Sequence, residues 1–352
     1  VSVERELYRQ TAFPLFQNRL YESRDAARNC PKADIRLVED LSTGLVRNAA
    51  FDAAIMDYDS FYNNEQSLSA AFQDHLARVA GLIETTMGNQ RLVEVGCGKG
   101  TFLELMLARG ADLVGYDPTY EGSNPRVRRE YFSEDLGIRG DGLILRHVLE
   151  HIEDPVSFLF RLAAANGNRG LIYIEVPCFD WICRKRAWFD IFYEHVNYFR
   201  LGDFRRIFGR LLHAGHGFGG QYLQIVGDLS TLRRPERDLA DAADFPTDFI
   251  QHLAQEAGAE TGPCIVWGGG SKGVIFSLLR ERAGHPVDRV IDINPAKQGK
   301  FLPATGLEVL SPAAGLAGLA YGTVINVMNP NYLAEIQSLV GPEFVCKGMS
   351  DD

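Results

Sequence analysis

The sequence predicts an α/β protein with two doubly wound domains and a small irregular N-terminal segment. Three observations carry this. "RLVEVGCGKGTFLELMLARGADLVGYDP" (Arg91–Pro118) and "CIVWGGGSKGVIFSLLRERAGHPVDRVIDINP" (Cys264–Pro295) share one design: a short apolar strand, a glycine-rich turn, an amphipathic helix and a second strand ending in an acid. Each reads as the βαβ opening unit of a Rossmann-like sheet. Third, "DGLILRHVLEHI" (strand then helix), "GLIYIEVP" and "GQYLQIVGD" continue the first sheet after its opening unit.

In chain order, residues 1–66 form the N-terminal segment and show no clear periodicity. "SAAFQDHLARVAGLIETTM" then reads as a helix leading into the first domain, residues 67–230. "LRRPERDLADAADFPTDFIQHLAQEAGAETGP" follows, charged, punctuated by proline and helical in spacing at its middle. It marks the boundary to the second domain, residues 231–352.

With 352 residues, 35 glycines and 46% hydrophobic content, the chain is long enough for two or three cores. A formal net charge of -10 repels polyanions, so no nucleic-acid partner is expected. The six cysteines form no C-x-x-C pair, which argues against a zinc knuckle or a disulfide framework. No apolar run spans a membrane and no signal segment is evident, so a cytoplasmic location is expected.

Gly96, Gly98 and Gly100 let the chain turn sharply out of its strand and let a ligand approach backbone N–H groups. Asp117, with Pro118 after it, ends the next strand, where a carboxylate can accept both hydroxyls of a ribose. The spacing is G-x-G-x-G rather than the dinucleotide G-x-G-x-x-G, with Glu94 inside the strand. His147, Glu150 and His151 invite a metal reading, but no third ligand is nearby in sequence, so hydrogen-bonding roles and no metal are expected. In the second loop, "WGGGSKG" offers backbone N–H groups and Lys272 as an anion cradle, with Asp292 as a second ribose acceptor.

"FDIFYEHVNYF" (189–199) packs five aromatic residues around the Glu194–His195 pair. Unpaired polar groups buried among rings are costly, so the pair is either exposed or functional. His195, with an unperturbed pKa of about 6.5, suits a general base, and Glu194 suits its helper. Trp181, Trp188, Tyr193 and Tyr198 suit stacking on a sugar or base, and Arg184 and Lys185 suit a diphosphate.

Glu94 to Gly100, Asp117 and Arg146 to Pro155 together resemble the class I S-adenosylmethionine-dependent methyltransferases. The resemblance implies that Glu94 holds the methionine amino end, Gly96 and Gly98 make room for the cofactor, Asp117 takes the ribose, and Arg146 and His147 line the methionine side. "EVPCFDWICRKRAWFDIFYEHVNYF", "YNNEQSLSAAFQDHL" and "VWGGGSKG" sharpen it, being similar to sugar C-methyltransferases that act on nucleotide-linked 4-keto deoxysugars. That family implies a small-molecule acceptor of specialised metabolism, as in antibiotic biosynthesis. It also implies proton removal at C3 by Glu194 and His195, and a C-terminal domain that encloses the nucleotide.

Two departures stand out. The family's tyrosine three places before the base falls on Phe192 and its following histidine on Tyr193, which puts a displaced phenol among the catalytic candidates. The family's N-terminal zinc module is degenerate, with Asp40 and Thr43 in place of a ligand pair. Two rivals stay open: methylation of oxygen or nitrogen on a molecule that is not a sugar, and a binding protein that performs no chemistry.

Overall fold

The computed structural model describes residues 3–56, 69–136, 139–249 and 262–349. Residues 250–261, which include part of the linker expected to be helical from its spacing, and the start of "YNNEQSLSAAFQDHL" (62–68) lie outside them. The strands are β1 (Glu4–Pro14), β2 (Lys32–Asp40), β3 (Val46–Asn48), β4 (Leu92–Val95), β5 (Leu113–Tyr116), β6 (Val127–Arg128), β7 (Gly142–Arg146), β8 (Leu171–Pro177), β9 (Asn197–Tyr198), β10 (Leu211–Gly217), β11 (Tyr222–Asp228), β12 (Ile265–Trp267), β13 (Arg289–Ile291), β14 (Val309–Leu310), β15 (Val324–Val327) and β16 (Val345–Gly348). The helices are α1 (Arg24–Arg28), α2 (Ala70–Met87), α3 (Thr101–Ala108), α4 (Pro155–Ala165), α5 (Phe179–Arg184), α6 (Leu201–Ile207), α7 (Ser271–Arg282), α8 (Pro312–Leu316) and α9 (Leu333–Val340).

The seven-stranded sheet has the order β10-β11-β8-β7-β4-β5-β6. Its strands pair in parallel from β8 to β6, and β11 pairs antiparallel with both β8 and β10. β4 is the strand from which the order runs both ways, and open α/β sheets bind ligands at the carboxyl ends there. In the five-stranded sheet, β14-β13-β12-β15-β16, every pair is parallel and the order reverses about β12. The architecture is therefore α/β with mixed sheets. No helix among the described residues is long and apolar enough to cross a membrane.

The N-terminal segment corrects the sequence reading. It is not irregular: β1, β2 and β3 form an antiparallel sheet whose fourth strand, β9, comes from the aromatic stretch. β1, "ERELYRQTAFP", hides its strand character because much of it faces solvent and carries charge. Those charges pair between strands: Glu4 meets Arg36 and Arg47, and Arg5 meets Glu39, which is fully buried. Asp40 and Thr43 lie in the turn between β2 and β3, where Asp40 Oδ1 accepts from the N–H groups of both Ser42 and Thr43.

The aromatic stretch joins the three parts. Trp188 stacks on Phe276 of α7 at 5.2 Å, and Val46 of β3 pairs with Tyr198 of β9. One apolar cluster runs from Phe13 and Ile35 through Leu143 and Trp188 to Phe276 and Val290. Burying that much apolar surface holds the sheets together far more strongly than their hydrogen bonds alone.

The glycines of the second loop also have a structural task. A Cβ on Gly273 would lie 1.9 Å from the carbonyl oxygen of Gly268, so only glycine lets α7 start this close to β12. Gly81, inside α2, has no such neighbour within 4 Å. Gly273→Ala is expected to cost at least about 2 kcal/mol through overpacking. Gly81→Ala is expected to add about 0.5–1 kcal/mol through helix propensity. Urea denaturation of the two variants beside the parent reads both, and a neutral Gly273→Ala would contradict the packing.

Candidate active site

Between β4 and α3 the chain passes through Gly96, Gly98 and Gly100 with φ of 73°, 53° and 81°, a region that L side chains rarely adopt. Asp117, just past β5, braces this loop. Its Oδ2 accepts from Gly98 N–H at 2.8 Å, and its Oδ1 accepts from the backbone N–H and hydroxyl of Thr119. Glu94 is buried in β4, and its Oε2 has no hydrogen-bond partner. Burial pushes its carboxyl up to about 8; nearby Arg146 opposes the rise and Asp117 adds to it. A buried carboxyl oxygen with nothing to bind, beside a glycine turn and a second acid, fits the amino and ribose groups of S-adenosylmethionine. Pro118 is exposed next to Asp117.

Behind this crevice lies a polar network centred on Glu175 of β8, which is fully buried. Arg146 donates to its Oε1 at 2.8 Å, and His147 Nε2 lies 3.2 Å from the same oxygen, close enough to attract but poorly aligned for a hydrogen bond. Tyr173 donates to Oε2 at 2.8 Å, and His75 of α2 lies 3.1 Å from it. Burial alone would raise the Glu175 carboxyl, but the Arg146 charge and the histidine contacts hold it well below the usual carboxylate range. His147 sits just beyond β7 with φ 52°. Burial works against its charged form, yet contacts with Glu150 and Glu175 prevail and push the imidazole up to about 9. His147 therefore carries positive charge at neutral pH. Arg146 is a partner of Glu175 that also lies over the Phe102 ring at 4.6 Å.

A cavity of about 230 Å³ opens beside His147. Its lining includes His195, Glu150, His151, Asp190, Phe192 and Tyr222, together with Lys272, Asp292, Lys297 and Asn18. His195 is buried against the Phe192 ring, 4.0 Å between centroids. Burial holds its imidazole well below the ordinary histidine range, and the positive fields of His151, His147 and Lys272 reinforce this. It is neutral at neutral pH.

Several residues expected near the chemistry are placed elsewhere. Glu194 does not reach His195: its Oε2 accepts from the backbone N–H of Gln17, and its carbonyl accepts from His151 Nδ1 at 2.7 Å. Tyr193 is turned toward the N-terminal segment, where its hydroxyl accepts from Asp52 N–H and donates to Ala50 O. The Tyr198 hydroxyl is used by the backbone of Phe192, accepting from its N–H and donating to its carbonyl. Both phenols are structural, because their polar ends serve the backbone and neither lines the cavity. Trp181 is buried under Lys272, 5.1 Å from ring centre to Nζ, and Arg184 is exposed away from the cavity. Lys185 is half-buried and likewise outside it. Lys272 lines the cavity but is paired with Asp190 at 2.8 Å and donates to Gln221 Oε1.

The second glycine loop repeats the first in detail. Gly269 N–H donates to Asp292 Oδ2 at 2.8 Å, as Gly98 does to Asp117, and Asn294 N–H donates to Asp292 Oδ1 as Thr119 does. The residues missed in sequence are Glu175, Asp190, Tyr222, Asn18 and Lys297. Of these only Glu175 carried a signal, as a lone acid inside the apolar strand "GLIYIEVP".

This crevice agrees with a family-model match to a methyltransferase domain over residues 63–211. The chain is an S-adenosylmethionine-dependent methyltransferase. Among curated proteins it is 24% identical to the C-methyltransferase NovU of Streptomyces niveus, over 72% of this chain and 71% of that one. It is 32% identical to a ubiquinone biosynthesis O-methyltransferase of Ruegeria pomeroyi, over 24% of this chain and 43% of that one. Two solved structures overlap it in part. The 1,6-didemethyltoxoflavin-N1-methyltransferase of Burkholderia thailandensis has 15% identity, covers 45% of this chain and 80% of its own, and gives a TM-score of 0.34. The magnesium protoporphyrin IX methyltransferase of Synechocystis has 17% identity, 48% and 90% coverage, and a TM-score of 0.36.

Glu94 yields a pH prediction. With its carboxyl at about 8 in the folded protein and about 4.5 unfolded, the folded state holds an extra proton between those values. Its contribution to stability is full below about 4.5 and is lost as pH rises through 8. Glu94→Gln cannot ionise, so its melting temperature without cofactor should gain on the parent steadily from pH 5 to 8.5. Scanning calorimetry across that range checks it, and parallel pH profiles would show that Glu94 is ionised when folded.

Proposed function

We propose that the chain methylates a carbon acid, most specifically C3 of a nucleotide-linked 4-keto deoxysugar, with His195 as the base. The observation that carries the reading is the cavity itself, which runs without interruption from His195 and His147 to the Asp292 loop. Such a space suits an acceptor with a reactive end and a nucleotide end. The similarity to a C-methyltransferase over most of both chains supports carbon as the acceptor atom.

Bound S-adenosylmethionine supplies a methyl group on a positively charged sulfur, and Glu94, the Gly96–Gly98 turn and Asp117 would hold it. His195 takes the proton from the acceptor carbon through a ring nitrogen, and the electron pair left behind spreads onto the neighbouring carbonyl oxygen. The His147 imidazolium in the same cavity lining stabilises that developing negative charge. Buried Phe192 and Tyr222 keep water from the base. We take residues 231–352 as a second Rossmann-like unit that encloses the nucleotide, with Asp292 accepting its ribose hydroxyls.

A proton at C3 should exchange with D2O when the protein meets a nucleotide-linked 4-keto sugar, as read by NMR. His195→Ala should lower exchange and methyl transfer by about 10²–10⁴-fold while S-adenosylhomocysteine affinity stays within a few-fold. Methylated product formed without prior exchange would move the acceptor to oxygen or nitrogen, the reading that the ubiquinone-type match favours. Asp292→Ala should raise the acceptor KM about tenfold or more and leave cofactor affinity unchanged, as steady-state kinetics and calorimetry would show. An unchanged KM would remove the second loop from the acceptor site.

A further inference from the structure

The sequence offered Glu150 and His151 as metal ligands without a third nearby, and the fold supplies that third donor from a distant stretch, His195. Glu150 and His151 are adjacent in the short 3₁₀ turn after β7, and His195 comes from the aromatic stretch. One donor atom from each lies within 4.8 Å of the other two. All three residues line the cavity, so an ion held between them would keep positions open toward an acceptor.

Each donor is oriented by something behind it. His151 donates its Nδ1 proton to the Glu194 carbonyl at 2.7 Å, which fixes the tautomer and leaves Nε2 with a lone pair. Glu150 Oε1 is contacted by His147 Nδ1 at 3.2 Å, while Oε2 is buried with no hydrogen-bond partner. The two segments are tied by backbone and side chain: Val196 N–H donates to Glu150 O at 2.8 Å, and Asn197 Nδ2 donates to Ile152 O at 2.6 Å. A ring nitrogen directed by a backbone carbonyl, and a carboxyl oriented by a further histidine, are the supporting contacts found around metal ligands. Of the neighbouring cations, Arg146 is matched by Glu175, Lys272 by Asp190, and His147 lies between Glu150 and Glu175.

We infer that Glu150, His151 and His195 form a binding site for one divalent transition-metal ion, held by two imidazoles and a carboxylate at the acceptor end of the cavity. This donor set suits zinc, cobalt, nickel or ferrous iron better than the oxygen-seeking magnesium and calcium. Tetrahedral ligands at about 2.0–2.1 Å from an ion stand roughly 3.3 Å apart, so binding draws the three side chains inward by no more than about 1 Å. An ion here takes up the His195 lone pair, so metal binding and proton removal by His195 exclude one another, and a bound ion is expected to inhibit the proposed reaction. The inference stands on the geometry of the trio and does not depend on the carbon-acid reading.

The test uses the full chain, stripped with a chelator, with neither cofactor nor acceptor present. Cobalt(II) is titrated in and its visible absorption followed, with zinc as competitor and metal content per chain measured after dialysis. The expected result is one ion per chain, with cobalt bands of a four- or five-coordinate site that zinc abolishes. Glu150→Gln, His151→Ala and His195→Ala should each weaken binding by about tenfold or more, and Glu150→Asp should restore part of it. Near-ultraviolet circular dichroism and S-adenosylhomocysteine binding report whether each variant is folded. If His151→Ala fails that check, Glu150→Asp against Glu150→Gln decides. No saturable cobalt binding by the parent, or binding that folded variants of the trio leave unchanged, overturns the site. Proton exchange at the acceptor reads the proposed reaction separately, so the two can fail independently.

Discussion

The arrangement of the active site depends on one buried carboxylate. Glu175 has no access to water, and its two oxygens must be satisfied from inside the protein. Arg146 and His147 approach one oxygen from the end of β7, and Tyr173 and His75 approach the other from β8 and α2. An ionised group in this position is tolerable only with such company, because an uncompensated buried charge costs about 3–5 kcal/mol. The network helps to keep His147 charged, and His147 in turn contacts the Glu150 carboxyl that lines the cavity.

A second constraint is apolar. "FDIFYEHVNYF" forms no long strand or helix of its own, yet nearly all of it is buried, since it fills the space between the N-terminal sheet, the seven-stranded sheet and α7. The same packing that hides its rings brings His195 beside His151, 5.0 Å between ring centres. A stretch that looks like core is core, and its one cavity-facing imidazole is positioned by being core. Lys272, on α7, lines the same cavity and forms an ion pair with Asp190 of this stretch.

The two glycine loops show one solution used twice. In each, an acid after the second strand accepts the N–H of a loop glycine with one oxygen and the N–H two residues further on with the other. That arrangement keeps the acid at the mouth of the turn. The second loop lines the cavity that holds His195, and the first does not.

The sequence by itself determined both βαβ openings, α2, the glycine turns with their acids, and the methyltransferase crevice. Those features arise from local patterning: apolar strands of four or so residues, positive-φ glycines and helical spacing, all of which are written within thirty residues. It also singled out His195, because a histidine among rings is costly unless it is used. The tertiary structure alone decided the rest. Tyr193, Tyr198 and Glu194 looked like site residues, but backbone groups claimed their polar ends, far away in the chain for Tyr193 and Glu194 and on Phe192 for Tyr198, and hydrophobic patterning shows no such partner. The N-terminal sheet escaped notice because its exposed, charged residues find several of their partners on other strands. Glu150, His151 and His195 meet only because the turn after β7 and the aromatic stretch line the same cavity, a proximity that pairing and packing produce and spacing cannot express.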